Sequence, residues 1–443
     1  MESGASPELR VLVIAYYFPP MGLSGVQRTM KFVKYLPECG WRPIVLTAGE
    51  TPYYARDESL MGELDPLIQA GQARIVRTAE SGAPGFMGKG QGAGLKLPSA
   101  RYQRLRSKVL QTMYQPDSRI RWKAPALKAA EKIFAEERID AIFTTAPPYT
   151  DFLIARELSK RHGVPYLMDY RDSWASNPAL NFYATPFHKA YARRLEDECL
   201  RGASAITVIS RTMKEMLLRN YPFLRHEEVF ILPHGYDPDD FAGAALESER
   251  FRNPEKFRMT YGGAFYVGYP GRSPVPMMEA VKRAIQKEPR LADDLELVFA
   301  GILHKDYARA LEKMGLTKHV VSMGYLPHRE EVALLLASDV LWMIASDPFS
   351  TPGKLYEYLG THKPILGLVA PGCASEKILN DYGAGITVPP KNIPAIADAI
   401  VDLYHRWRKS LLPHTVNVPF VQSFDRRTLT GELARQMRLM LRP

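Results

Sequence analysis

The stretch RVLVIAYYFPPMGLSGVQRTMKFVKYL, residues 10–36, sets out the unit from which the chain is built. Its apolar run, VLVIAYYF (11–18), stops at Pro19-Pro20. That run is far short of the ~18–20 apolar residues that cross a bilayer, and it reads as a buried strand rather than a leader or a span. A loop with glycines at 22 and 25 follows, and then a helical pattern. The same layout of strand, glycine-rich loop and helix restarts at RMTYGGAFYVGYPGR, 258–272. No residue-level repeat links the two; only the layout is shared.

Outward from these two openings, short β-branched runs alternate with longer helical patterns. Strands are expected at 10–15, 43–47, 73–77, 139–144, 165–169 and 204–209, and again at 258–263, 295–300, 319–323, 339–345, 364–369 and 385–388. Most are apolar on both faces, as parallel strands covered by helices must be. The class is therefore α/β, and two groups of six strands favour two doubly wound sheets over one sheet of twelve. A chain of 443 residues is also too long for a single core. The seam is DPDDFAGAALESERFRNPEKF (237–257), which is polar and poor in β-branched residues. This gives a first domain over 1–241, a linker over 242–256, a second domain over 257–422 and a last helical segment over 423–443. In that segment Leu429, Leu433, Met437 and Leu441 fall at near-helical spacing.

Apolar content of 46% and charged content of 24% are those of a soluble globular protein. Cys39, Cys199 and Cys373 stand apart, with no CxxC and no metal-ligand spacing, so a reducing cytoplasm is expected and a disulfide framework is not. The net charge of +10 is concentrated: ten Lys and Arg against one acid, Asp117, fall between Ser81 and Lys128. Within it, RYQRLRSKVLQTMYQ (101–115) places Tyr102, Leu105, Val109 and Met113 on one helical stripe, flanked by Arg101, Arg104 and Lys108. Such a helix can lie in a lipid headgroup region, or it can pack on the first domain with a solvated basic edge. No nucleic-acid reader motif accompanies the charge.

Four stretches could carry chemistry, and each has a structural alternative. PPMGLSGVQR (19–28) has Gly22 and Gly25 where backbone N–H groups could approach an anion, or where a tight turn suffices. It is not a GxGxxG, so a dinucleotide fingerprint is absent. GGAFYVGYPGR (262–272) ends a strand at Gly262 and Gly263 and carries Arg272, suited to bidentate phosphate contact or to plain solvent. STPGKLYEYLGTHKP (350–364) reads as a short helix with Thr351 as cap, Pro352 at its first position and Gly360 at its close. Lys354 and Glu357 lie three apart on it, directly after the apolar run DVLWMIA (339–345). They are either a surface pair or a site for a diphosphate and a ribose diol. MDYRDSW (168–174) gathers Asp169, Arg171, Asp172 and Trp174 at a strand end, either as a site or as an Asp–Arg network serving the fold. Asp237, Asp239 and Asp240 are explained by a turn with a helix cap, and no metal-ligand cluster is identified.

With these residues in view, the chain resembles the family-4-like (group 1) glycosyltransferases of the GT-B fold. The resemblance runs in order along RVLVIAYYFPPMGLSGVQR, PDSRIRWKAPAL, DAIFTTAPPYT, DYRDSW, AITVIS and ILPHGYD, then TYGGAFYVGYPGR, LVFAGI, VSMGYLP and SDVLWMIASD with STPGKLYEYLGTHKPIL. PDSRIRWKAPAL, DAIFTTAPPYT and DYRDSW are similar to a bacterial subgroup that builds surface polysaccharides or decorates lipid-linked sugars. The resemblance implies two Rossmann-like domains facing across a cleft, the last helix crossing back to the first. It implies glycosyl transfer from a nucleoside-diphosphate sugar to an acceptor hydroxyl, retaining and metal-independent, with no cofactor. Glu357 then grips the ribose, Lys354 and Arg272 meet the donor phosphates, and Gly22, Gly25, Gly263 and Leu326 line the nucleotide-sugar site. Asp169, Asp172, Arg272 and Lys354 are the catalytic candidates. The chain departs from the family pattern at Phe349, Ala264 and His234, where a Glu, an Arg and an Asn are usual.

The implied acceptor is a carbohydrate or a lipid-linked sugar, and the implied place is the cytoplasmic face of the inner membrane, with residues 101–123 against anionic lipid. The competing functions are a sugar-nucleotide epimerase or phosphorylase of the same fold, or a non-catalytic membrane-associated scaffold.

Overall fold

The computed structural model describes residues 8–22, 24–49, 56–78, 112–176, 183, 185–265, 273–345 and 351–441. The chain divides into two compact units, one formed by Met1–Pro233 with Arg426–Pro443 and the other by His234–Asp425.

The first unit is built on β1 (Leu9–Ile14), β2 (Trp41–Thr47), β3 (Arg74–Arg77), β4 (Ala141–Ala146), β5 (Tyr166–Tyr170), β6 (Ala205–Val208) and β7 (Val229–Ile231). These form one parallel sheet in the order β3-β2-β1-β4-β5-β6-β7. β4 and β5 are buried along their whole length, which is why their sequences show no polar face. The sheet has one strand more than the sequence reading counts. β7 spans three residues and leaves Ile231 46% exposed, too short and too open for a hydrophobic pattern to register. The helix Arg426–Leu439 packs in this unit with Leu429, Leu433 and Met437 buried in the core, the stripe expected from its spacing.

The second unit repeats the architecture with β8 (Phe257–Gly262), β9 (Leu295–Ala300), β10 (Val320–Gly324), β11 (Val340–Ala345), β12 (Ile365–Val369) and β13 (Gly385–Val388). The order is β10-β9-β8-β11-β12-β13, again all parallel. In both sheets the strand order reverses beside the opening strand, at β1/β4 and at β8/β11. At such a reversal the loops leave in opposite directions and open a crevice at the carboxyl ends of the strands.

The stretch read as a linker, 242–256, is largely structured. It continues the helix Pro238–Ser248, and Ala244 packs against Val332 and Ala333 of the helix His328–Leu336. Polar composition there reflects one exposed helix face. Asp237 caps this helix, its carboxylate accepting from the Asp239 N–H at 3.1 Å. The basic helix expected over 101–115 lies outside the described residues for most of its length, and Arg272 and Phe349 lie outside them too.

Candidate functional site

In the second unit the expected residues converge at the carboxyl end of β8. Gly263 follows the strand with φ +112°, a backbone region closed to most side chains, and its N–H donates to the Ala300 carbonyl at 2.5 Å. Gly301, after β9, has φ +139°, and a β-carbon there would run into the Gly263 carbonyl. The two loops thus press together through two glycines, leaving bare backbone. The Lys354 ammonium lies 2.6 Å from where a Gly263 β-carbon would be, and 3.7 Å from the centre of the Tyr261 ring.

The helix Gly353–Gly360 brings both charged residues there, though it begins differently from the sequence expectation. Thr351 does not cap it. Its buried hydroxyl instead shares a hydrogen bond with the Tyr356 hydroxyl at 3.0 Å, and Pro352 takes the cap position. Gly360 is the last helical residue, held small because a β-carbon would meet the Tyr236 and Phe241 rings. Lys354 therefore stands in the first turn, at the positive end of the helix dipole. A cation there is electrostatically disfavoured unless an anion joins it.

Glu357, 22% exposed at its side chain, faces His328, whose Nε2 lies 3.4 Å from its Oε1. His328 Nδ1 in turn lies 3.8 Å from Asp240. Leu326 sits on the turn after β10, packed against the Val298, Ala300 and Leu334 cluster.

Glu331 is the residue that sequence reasoning missed. It is half-buried on the helix His328–Leu336, with its carboxylate packed so closely over Gly262 that a β-carbon there would run into it. The Gly262 N–H donates to the Tyr358 hydroxyl at 2.7 Å on the same strand end. Burial, and then the nearby Glu357 charge, push the Glu331 carboxyl up to about 7, against the counter-pull of His328 and Lys354. The native state thus holds this proton more tightly than the unfolded chain does. Stability from it is full below the ordinary value of 4.5 and is lost as pH rises through about 7. Glu331→Gln, neutral throughout, is expected to melt close to wild type near pH 4.5 and above it past pH 7. Thermal melts across that range check this, and a pH-independent difference would remove the assignment.

In the first unit the glycine loop and the end of β5 meet. Arg171 donates through Nη1 to the Gly25 carbonyl and through Nη2 to the Pro147 carbonyl at 2.7 Å. It ties together the loops after β1, β4 and β5. Burial pulls the Arg171 guanidinium below its usual range. Gly25 leaves room for that guanidinium, 3.2 Å from where its β-carbon would stand, and Gly22 is buried in the same loop. Asp172 is half-buried beside Arg171 and within electrostatic reach of it.

Asp169 is placed otherwise. It is fully buried, and both oxygens are occupied by Arg28, Thr145 and Thr207. The Asp–Arg network considered for this stretch exists, but its partner is Arg28 on the first helix rather than the adjacent Arg171. Asp169 has no face left for a substrate.

Comparison with known proteins joins the two units to one family. Residues 25–235 match the glycosyl transferase 4-like domain, and residues 264–406 match the glycosyl transferases group 1 domain. A 2-deoxystreptamine glucosyltransferase of Streptomyces kanamyceticus is 27% identical over 204 residues, 41% of this chain and 51% of that protein, so the match spans about half its length. Anabaena HepE, solved with UDP and glucose, superposes with a TM-score of 0.65 at 13% identity, covering 97% of this chain and 100% of that one. A glycosyltransferase from Rickettsia africae gives a TM-score of 0.65 at 15% identity, over 99% and 100% of the two chains. At such identities the likeness is one of fold, and it agrees with two parallel α/β units. The chain belongs to the glycosyltransferases of GT-B fold that join a glycosyl transferase 4-like domain to a group 1 domain.

Proposed function

We propose that this chain moves a glycosyl group from a nucleoside-diphosphate sugar to an acceptor hydroxyl, with retention at the anomeric carbon. The observation that carries the reading is the Lys354 ammonium against bare Gly263 backbone at the end of β8. Glu357 lies three residues on along the same helix, close enough to act on Glu331 over Gly262. Glu357 accepts from the ribose hydroxyls, and Lys354 takes the diphosphate together with Arg272, which lies outside the described residues. Leu326 contributes to the nucleotide side of the site.

As the acceptor oxygen bonds to the anomeric carbon, the bond to the diphosphate breaks on the same face. The departing phosphate takes the acceptor's proton. The protein's part is to stabilise the leaving charge with fixed cations and N–H groups, and to hold the partners in line. Two positively charged side chains supply that charge, so the reading requires no metal. In the first unit Asp172 and the Gly25 loop are the groups offered to the acceptor, with Asp169 and Arg28 positioning the strand end beneath them.

HepE was solved with UDP and glucose, and the Streptomyces relative is a glucosyltransferase, which makes UDP-glucose the first donor to test. A thermal-shift screen of nucleotide sugars is expected to raise the melting temperature with one nucleotide class, since a ligand that binds only the native state stabilises it. Turnover is expected only when an acceptor is added. Conversion of donor alone would favour an epimerase, and no shift with any nucleotide would favour a non-catalytic scaffold. The acceptor is proposed to be a lipid-linked or surface-polysaccharide sugar. The charge excess of Ser81–Lys128 supports contact with anionic membrane through residues 101–123. Among the described residues, no helix is long and apolar enough to cross a membrane.

A further inference from the structure

The first unit holds a cation that the fold does not neutralise. Asp117 and Arg119 stand just before the short turn Ile120–Trp122, with the Arg119 N–H donating to the Asp117 carboxylate at 2.8 Å. Asp117 also accepts from the Thr150 N–H and hydroxyl, each at 2.9 Å, where the helix after β4 begins. The Arg119 guanidinium lies over the two rings that follow β1, 5.0 Å from the centre of Tyr16 and 5.7 Å from that of Tyr17. It is thereby held at the carboxyl ends of β1 and β4, where the strand order reverses.

A half-buried guanidinium ordinarily meets a carboxylate. Among the described residues Arg119 makes no ion pair, and its guanidinium donates only through Nε, to the Tyr17 hydroxyl at 3.2 Å. Both Nη groups stay uncommitted. The acids nearby do not cancel the charge. Asp117 spends both oxygens on Thr150 and on the Arg119 backbone, and Asp151 accepts from the Tyr16 N–H at 2.9 Å. Burial raises both carboxyls above the usual carboxylate range. Asp151 Oδ1 and the Tyr16 hydroxyl are buried and have no hydrogen-bond partner among the described residues. Orphaned buried atoms of this kind call for a guest that completes their hydrogen bonds.

Stacking on Tyr16 and Tyr17 fixes the plane of the guanidinium, and its free edge offers parallel N–H donors matched to a carboxylate or a phosphate. We propose that the acceptor is an anionic sugar, and that Arg119 receives its carboxylate or phosphate at the carboxyl ends of β1 and β4. This rests on the reading of the first unit as the acceptor side, and it names the class of acceptor.

Ligand-observed NMR titrations with glucuronate, glucose 6-phosphate and glucose, at constant ionic strength, test it. At least one anionic sugar is expected to bind ~10-fold or more tightly than glucose, the size of a charge-assisted contact, and which one it is names the anion. Acetate or inorganic phosphate, which offers the anion without the sugar, should bind more weakly than the matching sugar. Arg119→Gln should remove the preference. Arg119→Lys keeps the charge but loses the fork, and should restore part of it. Circular dichroism should stay unchanged in both variants. Glucose binding as tightly, a preference that survives Arg119→Gln, or no binding of either anionic sugar at millimolar concentration overturns the proposal. Acetate or inorganic phosphate binding as tightly as its sugar also overturns it. Thermal melts with UDP run in parallel keep the two readings apart. Anionic sugars bound with no response to UDP would remove the donor-site reading and leave this site standing, and a response to UDP without them would do the reverse.

Discussion

Asp169→Asn is expected to cost about 3–5 kcal/mol of stability, the range for removing one partner of a buried ion pair. The carboxylate is fully buried and Arg28 is 1% exposed. Asp169 accepts from Arg28 Nε at 2.9 Å and Nη2 at 2.8 Å, and from the Thr145 and Thr207 hydroxyls, each at 2.9 Å. Arg28 also donates to the Leu232 carbonyl at 2.9 Å and the Pro233 carbonyl at 2.6 Å, fastening the chain after β7 to the first helix and β5. Asparagine would leave that guanidinium charged, buried and uncompensated, and would turn an amide N–H₂ toward its donors. Burial alone would raise the Asp169 carboxyl, but the Arg28 guanidinium outweighs it and holds the group below the usual carboxylate range. The stabilisation is therefore present above the ordinary value of 3.8 and is lost as pH falls through the depressed one. Urea unfolding at neutral pH should show the loss, and the acid limb of stability should flatten in the variant. Arg28→Met with Asp169→Leu should recover only part of it. The double change removes the uncompensated charge but leaves the Thr145 and Thr207 hydroxyls and the Leu232 and Pro233 carbonyls without these partners. A loss under ~1 kcal/mol would mean that the pair is not buried as described.

The contrast between Asp169 and Glu357 marks what a sequence can disclose. Strands covered on both faces are legible because burial keeps a short run mostly apolar, and the runs of β1, β4 and β8 end at proline or glycine. Lys354 and Glu357 were legible for a related reason: charges placed directly after a buried strand fall where α/β sheets meet ligands. The partner of Asp169 was not legible. Arg171 is its neighbour in sequence, yet it turns to the Gly25 and Pro147 carbonyls, while Arg28 comes from 141 residues away. Glu331 escaped for another reason. An acidic residue in the first turn of a helix is already explained by the dipole. Only the packing of that helix over Gly262 gives the carboxyl its second role.

Glu357→Ala should weaken binding of a nucleoside diphosphate by about 1.5–3 kcal/mol, the range for hydrogen bonds to a charged group. On the proposed reading its carboxylate accepts two hydroxyls of one ribose, so truncation leaves both diol protons without their partner. The loss belongs to the ligand rather than to the fold. The Glu357 side chain is only partly exposed, at 22%, but its helix is anchored independently by buried Leu355, Tyr356, Tyr358 and Leu359. Removing the carboxylate also removes a negative neighbour of Glu331, which should bring the Glu331 carboxyl back toward its ordinary value. Two readouts then move together: weaker UDP binding by titration calorimetry, and a downward shift of the pH window in which thermal stability falls. Glu357→Gln separates them, since the amide keeps one acceptor for the ribose and still lacks the charge that acts on Glu331. It should recover part of the affinity but none of the pH shift. Unchanged UDP affinity in the alanine variant, with the fold intact, would remove Glu357 from the donor site. A pH window that stays in place would show that Glu331 answers to burial alone.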